Sequence, residues 1–201
     1  AFASQMDVWI SALSGDNEAA KIEARQMLPR MGGAAVPGLL PLLKVERQEV
    51  WRVAYRILVD IVNEVTAAGR EEERKTVTAA LMTLVEPPQP KPLKEIGLRL
   101  LPIALPERYD VSPIAALLDD KELREPARAA LELAGTEPAR AALRDALSKT
   151  DPEFQYALLN SLAVLQDAES LSTVESYLRH SDARVRAAAA RAVAWTGRSE
   201  E

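Results

Sequence analysis

Residues 182–197, DARVRAAAARAVAWTG, decide the fold. Seven of the sixteen are alanine, and the single carboxylate stands at the start. Alanine is the best intrinsic helix former, and an aspartate before the first turn accepts from its free N–H groups. Val185, Ala189 and Val193 recur at four-residue steps, which keeps them near one another on one side of a helix. Gly197 stands where such a helix would end in a left-handed residue. Alanines 187–190 and 192 let the helix approach a neighbour closely, while Val185, Val193 and Trp195 fill the remaining space.

The arrangement recurs outward from this stretch. Asp120, Asp151 and Asp182 are 31 residues apart, and one more such step back reaches Gln89. Asn17 and Gln48 are separated by the same 31, whereas Gln48 and Gln89 are 41 apart, an excess of ten. Three places after these six starts stand Ala20, Trp51, Pro92, Leu123, Phe154 and Val185. Seven places after stand Ala24, Tyr55, Ile96, Ala127, Leu158 and Ala189; eleven after, Leu28, Val59, Leu100, Leu131, Leu162 and Val193. Each unit therefore opens with an amphipathic helix, capped by Asp120, Asp151 or Asp182 in the last three. Fifteen places after the starts, glycine is present in half of the units (Gly32, Gly135, Gly197), with Asn63, Ala104 and Gln166 in the others. A second apolar set follows in most units, as in Val36, Leu39, Leu40 and Leu43, or Ala139, Ala142, Leu143 and Ala146, or Val174, Tyr177 and Leu178. It predicts a second, shorter helix packed antiparallel on the first. A lone hairpin cannot bury its apolar side, but stacked hairpins can.

Bulk composition agrees. The chain has 201 residues, 48% hydrophobic and 27% charged, with 4% aromatics and eight glycines, which favours helix over sheet. A net charge of −5 gives no broad field attractive to nucleic acid or anionic membrane. No apolar run approaches the length of a membrane span. The absence of cysteine removes disulfides, thiolate nucleophiles and thiolate metal sites, and leaves the compartment open. Ala1 and the small residues of AFAS fit a cytoplasmic protein trimmed at its N-terminus and equally an exported one left by signal-peptide cleavage.

DARVRAAAARAVAWTG resembles the short bacterial HEAT-repeat consensus, in which an Asp is followed by Val-Arg, spaced alanines and a terminal Gly. DKELREPARAALELAG and NEAAKIEARQMLPRMG share the pattern more weakly, and the 31-residue spacing is similar to the repeats called phycobilisome-lyase HEAT-like. The resemblance implies an all-α, right-handed α–α superhelix, a HEAT-like solenoid of about six helical hairpins. It also implies that the arginine after valine and the capping aspartate bond successive repeats, a role that falls on Arg124 and Arg186 with Asp120, Asp151 and Asp182. Residues 1–201 are expected to form one array, with halves 1–86 and 93–201 joined by the stiff polyproline connector PPQPKP, residues 87–92. Too few residues follow Gly197 for a second helix, so the last helix reads either as a worn terminal cap or, in preference, as the edge of a module of a longer protein, whose apolar end invites end-to-end self-association.

Other features have both a structural and a functional reading. Lys21, Arg25, Arg52, Arg56, Arg124, Arg128 and Arg186 form a basic stripe for phosphates or an acidic partner, though the net acidity favours a structural role. The ten-residue excess falls in residues 63–75, where Glu71, Glu72, Glu73 and Arg74 read as a solvated charge run. Trp51 reads as core, Trp9 as a cap on the first hairpin, and Tyr109 as the most exposed aromatic. The lone His180 reads as a helix C-terminal residue facing carbonyls. Nothing resembles a phosphate loop, a metal-ligand spacing or a catalytic triad, so no cofactor, metal or catalytic residue is expected.

The function expected is a non-enzymatic scaffold that holds a protein partner on a concave face lined by the shorter helices. That face includes Arg140, Arg144, Asp145, Lys149, Glu175 and Arg179, whose mixed charge suits selective protein contact. A bilin-lyase-like or other ligand-handling component is the alternative, and a HEAT-like nucleic-acid binder is disfavoured by the charge.

Overall fold

The computed structural model of the chain describes residues 2–196, and every helix that opens a repeat begins at or shortly after its expected start. Gly197 lies outside the described residues. In chain order the first elements are α1 (Phe2–Ala12), α2 (Glu18–Arg30), α3 (Val36–Leu39), α4 (Gln48–Glu64), α5 (Glu71–Met82) and α6 (Lys91–Ala104). They are followed by α7 (Ser112–Ala115), α8 (Arg124–Ala134), α9 (Glu137–Leu147), α10 (Pro152–Val164), α11 (Leu171–Ser176) and α12 (Ala183–Thr196). From α2 onward the even-numbered helices open the repeats, and the odd-numbered ones are the second helices. Three of those are a single α turn or little more, extended by the 3-10 turns Leu40–Lys44, Ala116–Asp119 and Tyr177–Arg179. No strand occurs among the described residues. The protein is an all-helical array of α–α hairpins.

Local chemistry explains the boundaries. Asn17 and Asp151 are N-caps whose side chains accept from the N–H groups of Ala20 (3.1 Å) and Phe154 (3.0 Å). Pro152 follows at the first helical position, where its missing N–H costs nothing. At the far ends, Gly135 takes φ 60°, and so does Gln166 at φ 49°, although glutamine has a Cβ to accommodate. The left-handed Gln166 lets the Asp167 N–H reach back to the Leu162 carbonyl (3.1 Å), closing the last turn of α10.

Two compact units are present, Ala1–Pro106 and Glu107–Glu201. Residues 87–92, expected to join the two halves, lie within the first unit. Those prolines form no extended connector. The Gln89 N–H closes a turn on the Glu86 carbonyl (3.1 Å), and α5 and α6 pack together across it inside the first unit. Hydrophobic burial between the two helices outweighs the stiffness that proline gives an unpacked segment.

The ten-residue excess goes partly into α4, which runs for 17 residues, and partly into the loop before α5. The charge run there corrects the expectation of a merely solvated surface. Glu73 accepts from the Gly33 N–H (2.8 Å) and pairs with Arg70 (3.2 Å), while Arg74 donates to the carbonyls of Ala104 (2.7 Å) and Leu105. Glu73 and Arg74 thereby tie α5 to the hairpins on both sides of it.

In the second unit α12 packs along α10. Val185, Ala188, Ala189 and Ala192 of α12 and Phe154, Leu158 and Leu162 of α10 are all at most 1% exposed. Ala187 and Ala190 face outward, and Val193 is half-buried. The alanine stripe therefore serves close helix packing on one side only.

Candidate partner-binding surfaces

The second unit carries the residues expected to face a partner, and they divide into two groups. Arg140 and Arg144 are engaged within the fold. Arg140 donates to the carbonyls of Gly135 (2.9 Å) and Leu165 (2.7 Å), which are end groups of α8 and α10. Arg144 reaches Asp167 (2.7 Å), Glu137 and Glu169 (2.9 Å). Asp167 is 2% exposed, so this guanidinium neutralises a buried carboxylate. Asp145, Lys149, Glu175 and Arg179 are exposed on α9, just beyond it, or on α11 and its 3-10 extension.

Asp145 and Lys149 line a groove of about 410 Å³ between α7 with its 3-10 extension and α9. Its floor is the small, half-buried Ala115, Ala141, Ala142 and Ala146, and its rim adds Asp110 and Asp119. Asp110 is held in place by accepting from the Ser112 N–H (2.9 Å) and hydroxyl (3.0 Å). Three carboxylates against one ammonium make this rim acidic. Asp110 and Asp119 carry no helical periodicity signal, because both lie at the ends of very short elements.

The cap and ladder residues are placed as follows. Arg124 donates to Asp151 in the next repeat, and its guanidinium carbon lies 4.7 Å above the Phe154 ring. The Arg124 guanidinium, and then the Phe154 N–H, hold the Asp151 carboxyl below the usual aspartate range. Arg186 instead donates to the carbonyls of His180 and Ser181, both at 2.8 Å. Asp182 accepts from the Arg184 N–H (2.7 Å) and pairs with its side chain (3.1 Å), which holds this carboxyl low as well. Asp120 accepts from the Glu122 N–H (2.9 Å), and α8 starts only at Arg124, after a turn. His180 accepts at Nδ1 from the Asp182 N–H (3.0 Å) and stacks on Tyr177, rather than facing carbonyls with its ring.

The first unit presents a different surface. Trp51, expected in the core, is half-buried, as are Tyr55 and Val59. The core side of α4 consists of Val50, Ala54, Ile57, Leu58, Ile61 and Val62, none more than 3% exposed. Buried and half-buried rows run in parallel on this helix, and the sequence register selected the outer one. Trp51 and Tyr55 stack with centroids 5.2 Å apart and planes 6° from parallel. With Arg25 of α2 and Arg52 and Arg56 of α4 they line a cleft of about 810 Å³.

Trp9, read as a cap on the first hairpin, is buried and donates from its indole N–H to Glu23 (3.0 Å). Tyr109 is half-buried; among the residues whose burial is described, the exposed aromatics are Tyr156 at 38% and Trp195 at 41%. Among the described residues no group of three or more His, Cys, Asp or Glu is placed to hold a metal ion. No described helix is long and apolar enough to cross a membrane.

No curated protein matches the sequence. Among solved structures, an engineered protein from the Northeast Structural Genomics Consortium is 20% identical with a TM-score of 0.47, over 96% of this chain and 97% of that one. A designed armadillo repeat protein in complex with the peptide (KR)4 is 17% identical with a TM-score of 0.48, over 95% of this chain and 99% of that one. A family model of HEAT repeats matches residues 140–201. That match is to HEAT repeats in general and does not extend to the phycobilisome-lyase subtype. Residues 140–201, which run from α9 into α12, are thus similar to HEAT repeats, within an all-helical array of α–α hairpins.

Proposed function

We propose that the protein is a binding scaffold that holds a basic, extended segment of a partner protein on the shorter helices of its second unit. The groove between α7 and α9 carries this reading. Its alanine floor lets a partner backbone approach closely, and the carboxylates of Asp110, Asp119 and Asp145 stand ready for lysine or arginine. Shape from the floor and charge from the rim together give selectivity, which mixed-charge surfaces do better than raw affinity. Glu175 and Arg179 extend the polar surface on the following short helix.

The test uses a fluorescein-labelled peptide of alternating lysine and alanine, read by anisotropy, with a glutamate–alanine peptide as reference. The lysine peptide is expected to bind, and Asp119→Lys with Asp145→Lys to weaken it at least tenfold. Equal affinity of the two peptides, or of the two proteins, would remove the proposal.

A further inference from the structure

We infer that the α2–α4 cleft of the first unit is a second docking site, for an acidic segment of a partner protein whose carboxylates alternate with aromatic side chains. This goes beyond the acidic groove of the second unit, lies on other helices and has the opposite charge preference.

Three observations converge on it. The first is the apolar row that the core does not use. Trp51, Tyr55 and Val59 repeat at four-residue steps, yet α4 is already anchored by the fully packed row from Val50 to Val62. Two stacked rings held half-open form a rigid platform, and rigid aromatics lose little entropy on binding. The second is the cleft itself. At about 810 Å³ it falls within the roughly 300–1,000 Å³ of ligand-holding clefts.

The third is charge. Arg25 and Arg56 make no ion pair among the described residues, and Arg52 bonds only to the neutral amide of Gln48 (3.2 Å). Of the two carboxylates in the lining, Glu49 is neutralised by Arg47 at 3.0 Å, which leaves Asp60 against three guanidiniums. A local positive surplus in a chain of net charge −5 marks a site for carboxylates.

Spacing selects the shape of the occupant. Arg52 and Arg56 stand one turn apart, a rise of about 6 Å along α4. Alternate residues of an extended peptide are separated by about 6.6 Å and point the same way. The arginine row and the aromatic row are adjacent on α4, offset by one residue, or about 100° of rotation. An extended chain lying between them directs its carboxylates to one row and its intervening rings to the other. Nucleic acid fits less well. Its phosphates are dense and regular, and Asp60 and the overall acidity repel them.

The probe is a fluorescein-labelled peptide of alternating glutamate and phenylalanine, with a glutamate–serine peptide and an oligothymidylate as comparisons. We expect the glutamate–phenylalanine peptide to bind most tightly and to weaken as salt is raised. Arg52→Glu with Arg56→Glu should weaken it at least tenfold. Both positions are exposed, so circular dichroism should show the helix content unchanged. Trp51→Ala should weaken it to a similar degree. The inference is overturned by unchanged affinity in either variant, by equal binding of the glutamate–serine peptide, or by tighter binding of the oligothymidylate. Retained binding of the lysine–alanine peptide by the Arg52/Arg56 variant separates a failure here from a failure of the second-unit groove.

Discussion

At the scale of single residues, the groups that matter most are charges held in specific bonds. Asp167 is a nearly buried carboxylate, and Arg144 is the side chain that neutralises it at 2.7 Å. Leaving a buried charge without its partner costs about 3–5 kcal/mol, far more than an exposed pair contributes. Arg144→Ala is expected to lower unfolding free energy at the low end of that range, about 3 kcal/mol, because Arg140 stands 4.0 Å from the same carboxylate. Urea denaturation measures it; a change under about 1 kcal/mol would mean that Arg140 or solvent takes over the role. Asp151 gives a pH-dependent counterpart. Arg124 and the Phe154 N–H lower its folded pKa beneath the unfolded value, so their stabilisation is complete above the ordinary aspartate range. It is lost as pH falls through the depressed value. Melting temperatures taken from about pH 6 down to about pH 2 should fall more steeply for the native chain than for Asp151→Asn. Parallel curves would show that Asp151 contributes nothing to acid sensitivity.

At the scale of elements, helix ends set the register of each hairpin. Gln166 holds a left-handed conformation that glycine adopts freely, and this strain is worth about 1 kcal/mol. Gln166→Gly should therefore stabilise the protein by up to about 0.6 kcal/mol, once glycine's larger unfolded-state entropy, roughly 0.4–1 kcal/mol, is subtracted. A lower melting temperature would contradict this. Gly32 behaves in the opposite way. It sits at φ 56°, and an added Cβ would come within 2.0 Å of the Glu73 Oε1 that holds the neighbouring Gly33 N–H. Gly32→Ala is expected to destabilise by about 1–3 kcal/mol, and Glu73→Ala in the same chain should relieve part of that loss. Thermal melts of the two single variants and the double variant test the coupling.

At the scale of the whole molecule, stability in a repeat array is a sum of local interfaces. Leu100 lies in the first unit and Leu158 in the second, each at most 1% exposed. Truncation of either to alanine should cost about 2–5 kcal/mol. The two losses should add within about 0.5 kcal/mol in urea titrations if the units do not share a core. A clearly non-additive pair would join them into one cooperative body.

The sequence by itself determined the helical repeat: its starts, its helix–helix alternation and the alanine side of α12. Those features are local, set by periodicity, capping chemistry and side-chain size, and they are written at fixed spacing. Trp51 shows where that information stops. Two apolar rows run along α4, and periodicity alone cannot say which one meets α2 and α6 and which faces outward. Only packing decided it, and the rejected row became the aromatic platform. The same holds for Arg140 and Arg144, read as a surface from their helix positions and found bonded to groups 5 to 25 residues away. Residues 87–92 carry the polyproline signature, yet with α5 and α6 packed together the stretch turns at Glu86–Gln89 and enters α6 at Lys91. In each case the deciding energy comes from contacts between hairpins, which no single stretch of sequence contains.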